Sequence, residues 1–141
     1  MSLSEYQKRL LSVCLICFMA TAVIACGQKQ DAMEKIKDLE FTVLAEENVP
    51  EELLSAIEEK KQTAFKLTFE DQGFLYICVG YGMQATGGYS VAVKELYETS
   101  NALYLDTDLI GPGPEEKSNP VASFPYVVIK AEFVDKPVVF E

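Results

Sequence analysis

Few residues in this chain could do chemistry. Histidine is absent from all 141 residues, which removes the side chain most often used as a general base or zinc ligand near neutral pH. The cysteines are Cys14, Cys17, Cys26 and Cys78. Cys78 sits in the apolar run Phe74-Leu75-Tyr76-Ile77-Cys78-Val79, with no base or cation beside it in sequence. A nucleophilic thiolate needs such a neighbour, so Cys78 reads as a packed, inert thiol. The acids cluster as Glu46-Glu47, Glu51-Glu52, Glu58-Glu59 and Glu115-Glu116. Sequence neighbours point to different sides of a strand or helix, so these pairs do not converge on a proton or a metal. No calcium-loop spacing is present, and the glycines of Gly80 to Gly88 precede a strand-like run rather than a Lys-Ser/Thr helix start. The expectation is a chain without catalytic residues, metal or cofactor, and not an enzyme.

What remains is binding. The stretch Gly80-Tyr81-Gly82-Met83-Gln84-Ala85-Thr86-Gly87-Gly88-Tyr89-Ser90 joins the most apolar run after residue 26 to the strand-like Val91-Ala92-Val93. Glycine at this density suits neither a helix nor a strand interior. Two readings stand: a plain glycine-rich hairpin connection, or a presented loop that offers Gln84, Thr86 and Tyr89 to a partner. A second loop opens at Gly111-Pro112-Gly113-Pro114 and runs to Pro120 or beyond. Its length suits either a functional loop or a solvent loop.

The elements that must position these loops follow from periodicity. Asn48-Val49-Pro50-Glu51-Glu52 has the marks of a helix start, and Leu53, Leu54 and Ile57 form one apolar stripe, predicting a helix over Pro50 to Gln62. Phe41 to Ala45 suits a first strand. Phe65, Leu67 and Phe69 alternate with polar residues as a half-buried strand. Asp71-Gln72-Gly73 turns the chain into Phe74 to Val79, whose apolar character on both faces places it centrally. Val91 to Thr99 continues the sheet, with a bulge expected near Lys94-Glu95 where its alternation breaks. Leu103 to Leu109, Tyr126 to Glu132 and a short Val138-Val139-Phe140 complete the set. The expected fold is α+β: a mostly antiparallel sheet of about six strands with one packed helix.

The N-terminus reads as an export signal. Lys8 and Arg9 precede an uncharged, mostly apolar run from Leu10 to Ala25, which is short for a permanent membrane span. The run ends in Val23-Ile24-Ala25-Cys26, which resembles a bacterial lipobox; that resemblance implies cleavage before Cys26 and lipidation of its thiol. The expected organisation is a lipoprotein signal peptide at 1–25, a polar tether at 26–39 and one domain at 40–141. Cys14 and Cys17 would leave with the signal, and Cys78 would have no partner for a disulfide within the domain. The net charge of −10 argues against nucleic acid or anionic headgroups as partners. Membrane association would rest on the lipid, and stable anchoring takes more than one acyl chain. The chain is thus expected outside the cytoplasm, anchored to the outer side of the bacterial cell membrane or to the outer membrane.

Three segments carry a family resemblance: Tyr76-Ile77-Cys78-Val79-Gly80-Tyr81-Gly82, then Gln84-Ala85-Thr86-Gly87-Gly88-Tyr89-Ser90-Val91, then Phe124-Pro125-Tyr126-Val127-Val128-Ile129-Lys130. Together they resemble the C-terminal domain of the PrcB-type protease-complex subunits over roughly Thr63 to Lys130. Ala85 stands where that family usually has proline. The resemblance implies a non-catalytic surface lipoprotein that binds and helps assemble or stabilise an extracytoplasmic protease complex. Its binding residues would be Gln84, Thr86, Gly87, Gly88, Tyr89, Pro112, Gly113, Pro125 and Tyr126. The order of the Gln84–Tyr89, Gly111–Gly113 and Phe124–Tyr126 segments also echoes the three loops of chagasin-like inhibitors of cysteine peptidases. That pattern's Asn, Pro, Arg and Trp are missing here, and a helix before the strands is unlike its pure sandwich. A purely structural, envelope-binding lipoprotein is a third reading.

Overall fold

In the computed structural model, which describes residues 34–141, the chain is built around strand β4 (Phe74–Tyr81). The expected signal peptide, Cys26 and the first part of the expected tether lie outside the described residues. Residues 75–80 of β4 are all buried, and the two faces of the strand belong to two cores. Leu75, Ile77 and Val79 pack with Leu96, Leu103, Leu105 and Ile129. Tyr76 and Cys78 pack with Val49, Leu53, Ile57 and Val128. A strand that is apolar on both faces needs a layer on each side, and the structure supplies a second sheet on one and a helix on the other. Ile77, Ile129, Leu103 and Leu105 are at most 1% exposed, and each such side chain contributes about 1.5–3 kcal/mol by its transfer from water.

The central sheet runs β2 (Phe41–Val43), β7 (Tyr126–Glu132), β4, β3 (Ala64–Asp71), with every pair antiparallel. The outer sheet runs β1 (Lys37–Asp38), β5 (Ser90–Glu98), β6 (Leu103–Ile110), β8 (Val138–Phe140), and only β6 and β8 are parallel. Helix α1 (Glu51–Lys60) lies on the other face of the central sheet, burying Leu53 and Ile57. The α+β class stands, with eight strands in two sheets among the described residues rather than about six in one. The apolar alternation of β5 and β6 is one-sided whereas β4 and β7 are two-sided, and that difference separates the sheets. β1 carried no signal because Lys37-Asp38 has no apolar residue to mark it.

The end of the stretch read as a tether enters the fold. Ile36 donates its N–H to the Glu98 carbonyl at 2.7 Å, Leu39 donates to Leu96 at 2.9 Å, and the Leu39 side chain packs against the first core. The sheet therefore begins before residue 40. The helix is shorter than the expected Pro50–Gln62, with Pro50 at its N-cap and Lys61 at its C-cap, and a 3-10 turn over Glu46–Asn48 precedes it. At the far end from the glycine loops, Gln72 and Gly73 both take positive φ, the conformation a two-residue hairpin turn requires.

The bulge lies where the alternation broke, with the β5–β6 register shifting between Val93 and Glu95. Val91 and Val93 pack against the first core. Strict alternation would then turn Leu96 to solvent, but the surplus Lys94 resets the parity and leaves Leu96 2% exposed. Lys94 points outward to Asp106 at 3.0 Å.

Candidate functional site

The loop expected to begin at Gly80 begins later. Gly80 and Tyr81 are paired in β4, opposite Phe65 and Ala64 of β3. Gly80 is required there because the Phe65 ring lies over its Cα, where any side chain would collide with the ring. Gly82 is the true corner, with φ 75° and a Cβ position 2.9 Å from the Ala64 nitrogen. From Gly82 to Tyr89 the chain runs beside the second loop, Gly111 to Pro125, at the same end of the sheets.

The two loops are zipped together by backbone. Gln84 donates its N–H to the Ser123 carbonyl at 2.8 Å, and Ser123 donates back to Gln84 at 3.0 Å. Gly87 donates to the Asn119 carbonyl at 2.9 Å, and the Ser123 hydroxyl donates to the Thr86 carbonyl at 2.6 Å. At their bases, Tyr81 donates its N–H to the Pro125 carbonyl at 3.1 Å. The Tyr81 hydroxyl donates to the Thr107 carbonyl at 2.9 Å, which ties the central sheet to the outer one. Met83 donates to the Gln62 carbonyl at 3.2 Å, and the Lys61 ammonium lies 5.4 Å from the Phe124 ring centre, so the helix end is joined to the same assembly.

This arrangement brings the expected binding residues together, and it gives most of them internal work. Gln84 and Thr86 are half-buried and bonded as above; the Gln84 amide also donates to the Tyr81 carbonyl at 3.3 Å. Gly87 lies against Asn119. Gly88, at φ 87°, has its Cβ position 3.0 Å from Pro112 Cβ, a contact that glycine alone allows. The half-buried Tyr89 ring covers Gly111, whose Cβ position is 3.1 Å from the ring edge. Gly113 is exposed in a turn whose N–H donates to the Glu116 carboxylate at 3.2 Å. Pro125 accepts from Tyr81, and Tyr126 packs into the second core beneath the helix. Burial pushes the Tyr126 hydroxyl above its ordinary pKa, and the neighbouring Glu46 adds to the rise.

The side chains that do face solvent here were not signalled by the motifs. Met83 is 58% exposed, Val121 62% and Ile110 51%. Met83 and Val121 flank the Gln84–Ser123 bridge, and Ile110 pairs with Ser90 at the adjoining strand end. Among the described residues no group of His, Cys, Asp or Glu could hold a metal. Cys78 is fully buried, and burial pushes its thiol up to about 12, so it holds a proton and is no nucleophile at neutral pH.

Residues 75–132 match the family model described as PrcB C-terminal. The match runs from β4 to the end of β7, takes in both loops and begins later than Thr63. It bears out the family resemblance carried by Thr86-Gly87-Gly88-Tyr89-Ser90 and Pro125-Tyr126. No curated protein and no solved structure matches the chain.

Proposed function

We propose that this chain, through its PrcB C-terminal segment, is a non-catalytic binding subunit of an extracytoplasmic protease complex. Its zipped-loop end would be the contact surface. One observation carries the reading: the matched segment is the part of the chain that builds both loops, and that end displays the apolar side chains Met83, Val121 and Ile110. Exposed apolar side chains on loops that are themselves braced offer contacts to an interaction partner. The backbone ladder between the loops keeps that surface pre-organised, so little ordering entropy is lost on binding. In this reading Cys26 carries the lipid that holds the subunit at the outer side of the bacterial membrane.

The test is a capture experiment with the tagged full chain in its own solubilised cell envelope, beside Met83→Asp/Val121→Asp protein. Both positions are exposed, so the fold is expected to persist. A protease captured by the parent chain and lost with the variant supports the reading; the same proteins on both, or none, overturns it. Labelling with a palmitate analogue, abolished in Cys26→Ala, tests the anchor; label retained in that variant would remove it. The inhibitor reading draws on the convergence of the Gln84–Tyr89, Gly111–Gly113 and Phe124–Tyr126 segments at one end, and a dose-dependent block of papain tests it.

A further inference from the structure

Beside this end each of the two sheets has a stretch of edge with no neighbouring strand among the described residues. β1 pairs with β5 only at Tyr97 and Glu98, and Leu39 bonds Leu96; beyond that, the chain crosses to the central sheet as β2. The edge of β5 from Ser90 to Val93 is left without a neighbour among the described residues. Leu96 and Glu98 turn their carbonyls towards β1, and the bulge carries this direction on to Val93 and Val91 rather than to Ala92. On the opposite wall β2 stops at Val43, with one further bond from Leu44 to the Val128 carbonyl, so the β7 edge is open again at Tyr126.

Between these two open edges lies a groove of about 360 Å³ lined by Val43, Leu44, Tyr89, Val91, Tyr126 and Val127 among others. Val43 stands at its mouth, 56% exposed. Among the described residues Glu46, whose carboxylate also meets the Tyr126 hydroxyl, is the only charged side chain in the lining.

We infer that this groove takes a short extended segment of a partner polypeptide, which adds to the β5 edge in line with β1 and carries a basic residue for Glu46. Free N–H and C=O groups along a strand edge select an extended backbone, because that alone satisfies them in register. The aliphatic and tyrosyl walls select alternate apolar side chains. The single carboxylate in the lining, in a chain of net charge −10, selects Lys or Arg and disfavours acidic segments. Tyr89, Pro125 and Tyr126 thereby gain a role as groove wall. The inference stands on the groove itself and does not require that the partner be a protease.

The test selects a displayed library of random dodecapeptides against the immobilised chain and measures the enriched peptides by fluorescence anisotropy. The expected winners alternate aliphatic residues and carry Lys or Arg. Val43→Asp is expected to weaken them at least about tenfold, and Glu46→Lys to weaken the basic ones similarly. Val91→Pro removes an outward donor and spares the β5–β6 ladder, a placement proline tolerates on an edge, while trimming a side chain packed on the first core; it is expected to lower affinity while the chain still unfolds cooperatively, at a somewhat lower melting temperature. Hydrogen exchange on the complex should slow at the amides of Val91 and Val93. No enriched peptide, or binding indifferent to Val43→Asp and Val91→Pro, overturns the inference. So does a dimer in sedimentation that Val43→Asp dissolves, which would give the slot to a second copy. Loss of groove binding leaves the Met83/Val121 capture result untouched, so the two readings fail separately.

Discussion

Two residues of β4 report how tightly the middle layer is packed. Cys78 has its thiol held protonated by burial, up to about 12, and it is shielded on both sides by the helix and β7 neighbours Ile57 and Val128. Native protein is expected to leave Cys78 unmodified by a thiol reagent over hours, with full reaction on addition of denaturant. Rapid labelling of the folded chain would contradict the packing described above. Gly80 makes the complementary point. A methyl group at its Cα would meet the Phe65 ring, and overpacking of this kind costs about 1–3 kcal/mol. Gly80→Ala should lower stability by that amount in denaturant titration, and adding Phe65→Leu should return part of it. A Gly80→Ala protein as stable as the parent would show that the ring moves aside freely. Both residues were visible in the sequence in different degrees. The inert character of Cys78 follows from its apolar run, but in sequence Gly80 reads as the start of a loop, since nothing local to a glycine reveals an aromatic ring arriving from another strand.

At the scale of elements, the bulge in β5 shows what periodicity can and cannot tell. The break in alternation at Lys94-Glu95 located it, because the apolar face must be recovered at Leu96. The surplus residue is Lys94, so its deletion should give a regular strand with Leu96 still inward. The loss would be an outer-face ion pair with Asp106, a partly exposed contact of small worth. The expected result is cooperative unfolding with a melting temperature within a few degrees of the parent. Deleting Cys78 should abolish folding, since β4 has no surplus residue and both its faces would exchange cores. If the Lys94 deletion unfolds the domain, the bulge is required in itself and the parity argument is insufficient. The β1 contact escaped sequence reading because it is held by charge and backbone. Glu98 receives Lys136 at 2.6 Å and Lys37 at 3.6 Å, while Lys136 also donates to the Thr99 carbonyl at 2.7 Å. The hydrogen bond from Lys136, aided by the charge of Lys37, holds the Glu98 carboxyl below the usual carboxylate range. A carboxyl lowered in the folded state contributes stability above its unfolded pKa and loses it as pH falls through the lowered folded value. Glu98→Gln should therefore melt a few degrees below the parent at pH 7 and show a shallower acid decline, the two proteins converging in strong acid. Parallel declines would exclude Glu98 as a source of the acid sensitivity.

The whole molecule sets a limit on what the family match by itself describes. Residues 75–132 contain β4 to β7 and both loops, and the Thr-Gly-Gly-Tyr-Ser and Pro-Tyr motifs made that part legible. The layering around it was not legible, because it depends on which remote elements cover which face. Within the matched segment, the first core has its middle in Ile77, Leu96, Leu103, Leu105 and Ile129, but Leu39, Phe41, Val138 and Phe140 close its rim from outside. The second core is worse provided: Tyr76, Cys78, Tyr126 and Val128 come from the segment, whereas Val49, Leu53, Ile57, Phe65, Leu67 and Phe69 do not. Cut to residues 75–132, the central sheet would keep only β4 and β7 and would expose the face that carries Cys78. An apolar face of that size without its cover favours association over folding. The expected outcome is that fragment 75–132 lacks a cooperative unfolding transition and aggregates, while residues 34–141 unfold in a single transition by circular dichroism. A monomeric, cooperatively folding fragment would mean that the helix and β3 are additions to a self-sufficient unit, and that the second core contributes little to holding the loops together. Failure of the fragment would instead make the helix a structural partner of the loop end, consistent with the Met83–Gln62 bond and the Lys61–Phe124 contact that join them.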